Sequence, residues 1–428
     1  MKNDKYMNLI MFFNYVYDFK ILKMTKMENF NVKPKVKYQL EYAYGQYYGF
    51  EEAAALMECL KDNAPSCGKK VKEFENAFAA ICGSKYALAL SNATTGLKLA
   101  GKAVGVLPGD EVITTPISWF ATATAFSELG AKIVFCDVDP KTLNLDPSGL
   151  KKLITPKTKA IVPVHLYGQC CKMDTIMEIA QKYKIAVIED CAHNPGGSYL
   201  GRSAGTWGDI GVFSFQQQKN ISTLGEGGMV ITNNKEFFES VLSYRSLCCR
   251  IYGGSDKYLP TDEKKYPMDK EYWKLYFDEI GYNYRMTDAQ ASAGIEQLKK
   301  LEKFNSQRIE IAAYLRKRLS GIRGLTLPYE DTKGKHVYHI FMVLLEKDFA
   351  LSKRDFMYRI YYEKGIKVWS HYMLIHLTGP YLKQGHKIGE CPVAEKAFGK
   401  YVSLPIHPRL SPEGLDYMVE NIIELSKK

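Results

Sequence analysis

Lys219 closes the run Gly211-Val-Phe-Ser-Phe-Gln-Gln-Gln-Lys219-Asn220, shortly before the Gly-rich turn Leu224-Gly-Glu-Gly-Gly228. At the end of a buried strand an ammonium is costly, because burial disfavours the charged form of a group whose ordinary pKa is about 10.4. A Schiff base with an aldehyde removes that cost, and the amine, once released, can move a proton at a substrate carbon. Taken singly, a solvated surface lysine is the commoner case. Ser214, five positions earlier, is placed to donate to a phosphate. Asp190 ends the apolar stretch Ile185-Ala-Val-Ile-Glu-Asp190. An anion there would keep a pyridine nitrogen protonated and turn its ring into an electron sink. A strand-end carboxylate that merely caps a loop fits the same pattern.

Two weaker features complete the set. Ser91-Asn92-Ala93-Thr94-Thr95-Gly96 is a small-residue turn that opens a helical pattern. Its amides and the positive end of the helix dipole make a phosphate seat, although Ser-Asn is also an ordinary helix cap. Trp119 follows an apolar strand and offers an indole that could stack on a flat ring, as most tryptophans in a core also could.

These residues need elements that bring them together. Strand-like runs at 85–90, 111–115 and 160–165 lead into helical patterns at 93–104, 120–129 and 173–183. Further strand-like runs lie at 132–137, 185–188, 210–215 and 228–232. Strands separated by helices of that length imply right-handed crossovers and a largely parallel sheet covered on both faces. Ligands in such sheets bind outside the carboxyl ends of the strands, where all four features fall. Residues 251–279 are rich in Lys, Asp, Tyr and Pro and lack apolar period, so they read as a long loop or insertion. A long helix is expected over 286–304. Beyond it, a strand at 339–345 and a helix at 353–364 suit a smaller second unit. The division that follows is a tail at 1–40, a large domain at 41–314 carrying the 251–279 insertion, and a small domain at 315–428.

Composition bounds the rest. The 428 residues, 46% apolar and 25% charged, match a globular protein of two or three folding units. Of the net charge of +11, about half sits on residues 1–40, which hold eight lysines against three acids. The remaining balance suits a phosphorylated small molecule as well as it suits nucleic acid, for which no aromatic-basic motif exists. The tail reads as disordered, or as preceding a true start at Met24 or Met27. Its apolar stretch 7–17 is interrupted by Asn8 and Asn14 and is too short to span a bilayer, so no membrane association is expected. The ten cysteines include the pairs Cys170/Cys171 and Cys248/Cys249 but no C-x-x-C element, which points to free thiols in a reducing cytoplasm. Five histidines, His336, His339, His371, His376 and His407, crowd the C-terminal part without metal-ligand spacing. Structural or substrate-lining roles are expected for them, and no metal.

From about Cys67 to Pro408 the chain resembles the DegT/StrS aminotransferases, the sugar-aminotransferase branch of the fold-type I pyridoxal-phosphate (PLP) enzymes. Six motifs carry the resemblance in the family's order: Ser-Asn-Ala-Thr, Val-His-Leu-Tyr-Gly-Gln, Ile-Glu-Asp-Cys-Ala-His, Phe-Ser-Phe-x-x-x-Lys-Asn, Gly-Glu-Gly-Gly and Gly-Tyr-Asn-Tyr-Arg-Met-Thr-Asp. The resemblance implies an aspartate-aminotransferase-like α/β fold, with a mainly parallel seven-stranded sheet in the large domain and a smaller α/β C-terminal domain. It implies that Lys219 bonds the PLP aldehyde and that Asp190 pairs with the ring nitrogen. His193 would lie near the phenolic oxygen, and Trp119 would stack on the ring. Thr94, Thr95 and Ser214 would hold the phosphate, with Asn283 and Arg285 reaching it from the second subunit of a homodimer. Members with His in place of the lysine are sugar dehydratases, an outcome that Lys219 argues against.

The chemistry implied is a two-step, ping-pong exchange in sugar and polysaccharide biosynthesis. Glutamate or glutamine would leave its nitrogen on the cofactor, and a keto group would then take it. The acceptor expected is a nucleotide-linked keto-deoxysugar, since residual basic charge suits a diphosphate. A keto-cyclitol such as scyllo-inosose is the alternative, and a non-catalytic PLP-binding regulator is a third reading. Two departures bear on the acceptor. Arg245-Ser-Leu-Cys-Cys-Arg250 replaces the family's Arg-Ser-His-Gly, and three glutamines at 216–218 stand where aromatic, His or Pro residues are usual.

Overall fold

The computed structural model describes Leu40 and residues 46–63, 66–255, 257–262 and 273–427. Apart from Leu40, the expected tail lies outside these. Seven strands form the central sheet: β1 (Tyr86–Leu90), β2 (Glu111–Thr114), β3 (Lys132–Phe135), β4 (Thr158–Val162), β5 (Ala186–Asp190), β6 (Ile210–Ser214) and β7 (Gly228–Thr232). Their spatial order is β1-β7-β6-β5-β4-β2-β3. Strands β3, β2, β4, β5 and β6 pair in parallel, while β7 runs antiparallel to both β6 and β1. One reversed strand in seven leaves the sheet mainly parallel, as the βα alternation requires.

Both faces are apolar because side chains alternate across each strand. Leu88 and Leu90 of β1, Val112 of β2 and Val230 of β7 enter one core with the helices Ala93–Ala103 and Ala121–Ser127. Ala87 and Ala89, Ile113, and Met229 and Ile231 enter the other core, with Lys69–Cys82, Met173–Tyr183 and the first half of a long helix. That helix, Asp288–Leu319, has 32 residues and is about 48 Å long. A third core joins its Ile311, Ala312, Leu315 and Leu319 to a strand pair, Phe341–Leu345 and Tyr401–Leu404, and to the helices Lys353–Tyr362 and Pro412–Leu425.

Two expectations are corrected. The helix does not stop at residue 304, so a division drawn at 314/315 falls inside it. Asn305 and Arg308 interrupt its apolar stripe, and both are buried with carbonyl partners: Asn305 donates to Pro195 O at 2.9 Å, and Arg308 to Tyr338 O at 3.0 Å and Ile406 O at 2.9 Å. A buried polar residue satisfied from elsewhere in the chain reads, in one dimension, like a helix end. The 251–279 segment is not all loop. Leu275–Phe277 pairs antiparallel with Cys249–Ile251, which pairs in parallel with Leu259–Pro260. Strands of two or three residues are too short to show a period. Residues 256 and 263–272 of that segment lie outside the described residues.

Candidate active site

Asp190 is the last residue of β5, the central strand of the seven. The strand buries its carboxylate, which accepts from Thr122 Oγ1 at 2.8 Å and from the Ala192 amide at 3.1 Å. Burial pushes its pKa up, and these bonds and the nearby Lys219 charge only partly offset the shift. Thr122 is itself tied to Ser118 by a 2.7 Å hydroxyl pair.

Lys219 follows β6, in a loop closed by Phe215 N–H to Gly227 O and Gln217 N–H to Gly225 O. The residue as a whole is partly exposed, but desolvation of the amine by the surrounding protein lowers its pKa to about 8, against the pull of Asp190 and then Glu226. The amine and the Asp190 carboxylate therefore share one electrostatic environment. Asn220 anchors the loop: its amide donates to Asn305 Oδ1 at 2.8 Å and to Val337 O at 3.2 Å.

His193 is buried three residues past Asp190, and burial followed by the Lys219 charge drives its pKa well down, so the ring is neutral. Its Nε2 lies 3.0 Å from the Tyr372 hydroxyl, and its Nδ1 is buried with no partner among the described residues. His339 stacks on the His193 ring with centroids 4.5 Å apart. Trp119 lies past β2, 64% exposed, with its indole edge-on to Tyr372 at 6.1 Å. Ser214, at the end of β6, accepts from the Gln216 amide at 3.3 Å.

The turn after β1 is a helix cap with free amides beside it. Asn92 caps the helix Ala93–Ala103 by accepting from the Thr95 amide at 2.9 Å, and the Thr95 hydroxyl donates to Asn92 O at 2.8 Å. Helix geometry leaves the earlier first-turn amides without partners inside the helix, and Thr94 is exposed beside them. The Tyr284–Arg285 backbone runs alongside this turn in the same chain, with Ser91 N–H donating to Tyr284 O at 2.8 Å and a bridge between Leu90 and Arg285. Asn283 is exposed. The Arg285 Nε and Nη1 are buried without a hydrogen-bond partner among the described residues, and its guanidinium lies 6.0 Å from the Tyr258 ring.

Thus Lys219, Asp190, His193, Ser214, Trp119 and the Thr94–Thr95 turn all lie at the carboxyl ends of the strands. Thr122 and Tyr372 carry no signal along the chain, and His339 and His371, expected only as structural or substrate-lining residues, join them at the site. The Lys219 charge acts on both His339 and His371. The dense C-terminal histidines were the available signal, but nothing along the chain indicated which of them turn inward.

Among the described residues, His165, Glu189 and Cys191 form a group close enough to hold a metal. Its imidazole and carboxylate are already engaged. Glu189 accepts from Gly205 N at 2.9 Å, Gly208 N at 2.7 Å and His165 Nε2 at 2.8 Å. His165 Nδ1 accepts from Cys171 N at 3.1 Å, so the ring proton sits on Nε2. The group is a buried brace beneath Asp190.

A desolvated amine facing a carboxylate, an orphaned imidazole nitrogen and a helix N-terminus fit an aldehyde, a phenolic oxygen and a phosphate on one pyridine ring. The site thus belongs to the class that handles amino groups through PLP. The chain belongs to the DegT/DnrJ/EryC1/StrS aminotransferase family, whose model matches residues 47–423. It is accordingly a PLP-dependent aminotransferase of fold type I. It is 35% identical over 383 residues to the spore coat polysaccharide biosynthesis protein SpsC of Bacillus subtilis, covering 89% of this chain and 95% of that one. It is 35% identical over 366 residues to GDP-perosamine synthase of Caulobacter vibrioides, covering 85% and 92%. Among solved structures, Helicobacter pylori PseC, an aminotransferase of pseudoaminic acid biosynthesis, superimposes with a TM-score of 0.82 at 26% identity, covering 91% and 100%.

Proposed function

We propose that this enzyme moves an amino group from glutamate or glutamine to the keto group of a nucleotide-linked deoxysugar, with Lys219 as its catalytic residue. The observation that carries the reading is the pairing of a depressed amine with a buried carboxylate at the ends of adjacent strands. Bound PLP supplies an electron sink that lets the α-carbon of an amino donor lose a proton. Lys219 takes that proton and returns it, a task suited to an amine whose pKa lies near neutrality. Asp190 holds the proton on the ring nitrogen, and Thr122 orients the carboxylate. Thr94, Thr95 and Ser214 hold the phosphate, Trp119 covers the ring, and His193 meets the phenolic oxygen. Asn283 and Arg285 of the partner subunit complete the phosphate site in a homodimer.

Support for the sugar acceptor comes from relatives named for GDP-perosamine synthesis and from a structural neighbour in pseudoaminic acid biosynthesis. The ten cysteines, all free and buried, support a cytoplasmic setting. Among the described residues no helix is long and apolar enough to cross a membrane. The test is the absorption spectrum of the purified protein with PLP, recorded before and after glutamate or glutamine. A screen of nucleotide-linked keto-deoxysugars and of a keto-cyclitol follows. Conversion to the pyridoxamine form and turnover of a nucleotide-linked sugar are expected, both absent in Lys219→Ala. Turnover of the cyclitol alone would reassign the acceptor, and a coloured protein that no donor converts would indicate a regulator.

A further inference from the structure

Tyr372 lies in the C-terminal part of the chain, 179 residues from His193, yet its hydroxyl is 3.0 Å from His193 Nε2. The two rings are nearly parallel, 16° apart with centroids at 5.6 Å, and His339 also stacks on the imidazole, with centroids at 4.5 Å. Three contacts fix the tyrosine. Tyr167 donates to His371 O at 2.5 Å, and the Tyr401 hydroxyl donates to Tyr372 O. The Ile375 amide donates to Pro116 O at 2.9 Å, beside the Ile117–Leu374 bridge. The segment is thereby pinned to the chain just past β2, the stretch that carries Trp119.

A neutral imidazole has one proton for two nitrogens, and the partner of one nitrogen decides the tautomer at the other. Nε2 has a phenol, which can donate, whereas Nδ1 is buried and unpartnered among the described residues. A proton on Nε2 would present a bare lone pair at Nδ1 to an electron-rich phenolic oxygen, which is repulsive. A proton on Nδ1 would present a donor to it.

We infer that Tyr372 is a positioning residue: its hydroxyl donates to His193 Nε2 and so keeps the imidazole proton on Nδ1, ready to donate to the cofactor's phenolic oxygen. This rests on the reading that Lys219 binds PLP with His193 beside its ring. The titratable groups around His193 are Lys219, His339, His371 and Tyr372, and the positive charge of Lys219 favours the neutral ring.

A hydrogen bond donated to the phenolic oxygen withdraws charge from it and makes the neighbouring imine nitrogen less basic. Losing the bond raises the pH at which the bound cofactor's visible band disappears. The experiment is a spectrophotometric pH titration of the PLP-loaded wild type, Tyr372→Phe, His193→Ala and the double variant, with Lys219→Ala as the blank. Tyr372→Phe keeps the ring, its stacking and its backbone contacts. We expect its midpoint to rise by about one pH unit, the size of one lost hydrogen bond. His193→Ala should shift in the same direction, and the double variant no further than His193→Ala. An unchanged midpoint in Tyr372→Phe, or shifts that add in the double variant, would overturn the inference while leaving the cofactor reading intact. A wild-type band that persists in Lys219→Ala would overturn both.

Discussion

Burial acts in opposite senses on the two residues at the centre of the site. It disfavours the ammonium of Lys219 and the carboxylate of Asp190, lowering one pKa and raising the other, and each partly relieves its partner. The consequence for Lys219 can be measured without substrate. Capture of an aldehyde requires the neutral amine, so with a pKa of about 8 the rate should rise with pH up to about 8 and then level off. A lysine at the ordinary value would still be accelerating near pH 10. Stopped-flow mixing of the cofactor-free protein with PLP across pH 6.5 to 10 (~0.5-unit steps) reads this directly. Asp190→Asn removes the anion and keeps the shape. The variant should still bind PLP, but its kcat should fall by about 100-fold or more, because a preorganised charge facing the reacting system is lost. Comparable kcat values in the two proteins would contradict the role proposed for the carboxylate.

At the scale of elements, the proposed phosphate seat depends on how closely a strand approaches a helix end. Gly228 begins β7 against the cap of the helix Ala93–Ala103, where a Cβ would sit 2.4 Å from the Asn92 carbonyl carbon and 2.7 Å from the Ala93 amide nitrogen. The obstacle is backbone and cannot rotate away. Gly228→Ala should therefore push the helix N-terminus off the strand, destabilise the protein by about 1–3 kcal/mol and weaken PLP affinity. Denaturant unfolding and cofactor titration of the same variant measure the two effects. Other motif residues also prove to act between elements. Asp288, the end of Gly-Tyr-Asn-Tyr-Arg-Met-Thr-Asp, accepts from the Gly68, Lys70 and Val71 amides at 2.6, 3.1 and 3.2 Å, capping the helix Lys69–Cys82. Arg245, which opens the departing Arg-Ser-Leu-Cys-Cys-Arg stretch, is buried against Glu75 at 2.6 Å and Ala89 O at 2.8 Å. What differs from the family there begins after a residue held firmly by the core.

At the scale of the whole molecule, the long helix couples the sheet to the C-terminal core, and Asn220 and Asn305 tie the Lys219 loop to that helix. Segments far apart in the chain thus converge on one site, and a second chain is proposed to add Asn283 and Arg285. Subunit mixing tests that proposal. Lys219→Ala and Asn283→Ala chains, each impaired alone, should on mixing form heterodimers with one intact site. Activity should recover to about a quarter of wild type, since about half the dimers are mixed and each has one good site of two. No recovery after verified exchange would place each complete site within a single chain.

Much of this architecture was legible along the chain. The seven strands appear as β-branched runs because a sheet covered on both faces needs apolar residues at nearly every position. Lys219, Asp190 and the Ser-Asn turn are visible because each interrupts or follows such a run with a residue that burial makes costly. The strand ends therefore announce the cofactor chemistry. What remained hidden depends on contacts between distant residues. Tyr372 and His339 meet His193, Thr122 meets Asp190, and Asn305 and Arg308 continue a helix whose stripe they break. Periodicity reports only which face of an element is buried. Which buried polar groups become one another's partners is settled when the elements pack, because each must find a donor or acceptor across the interface.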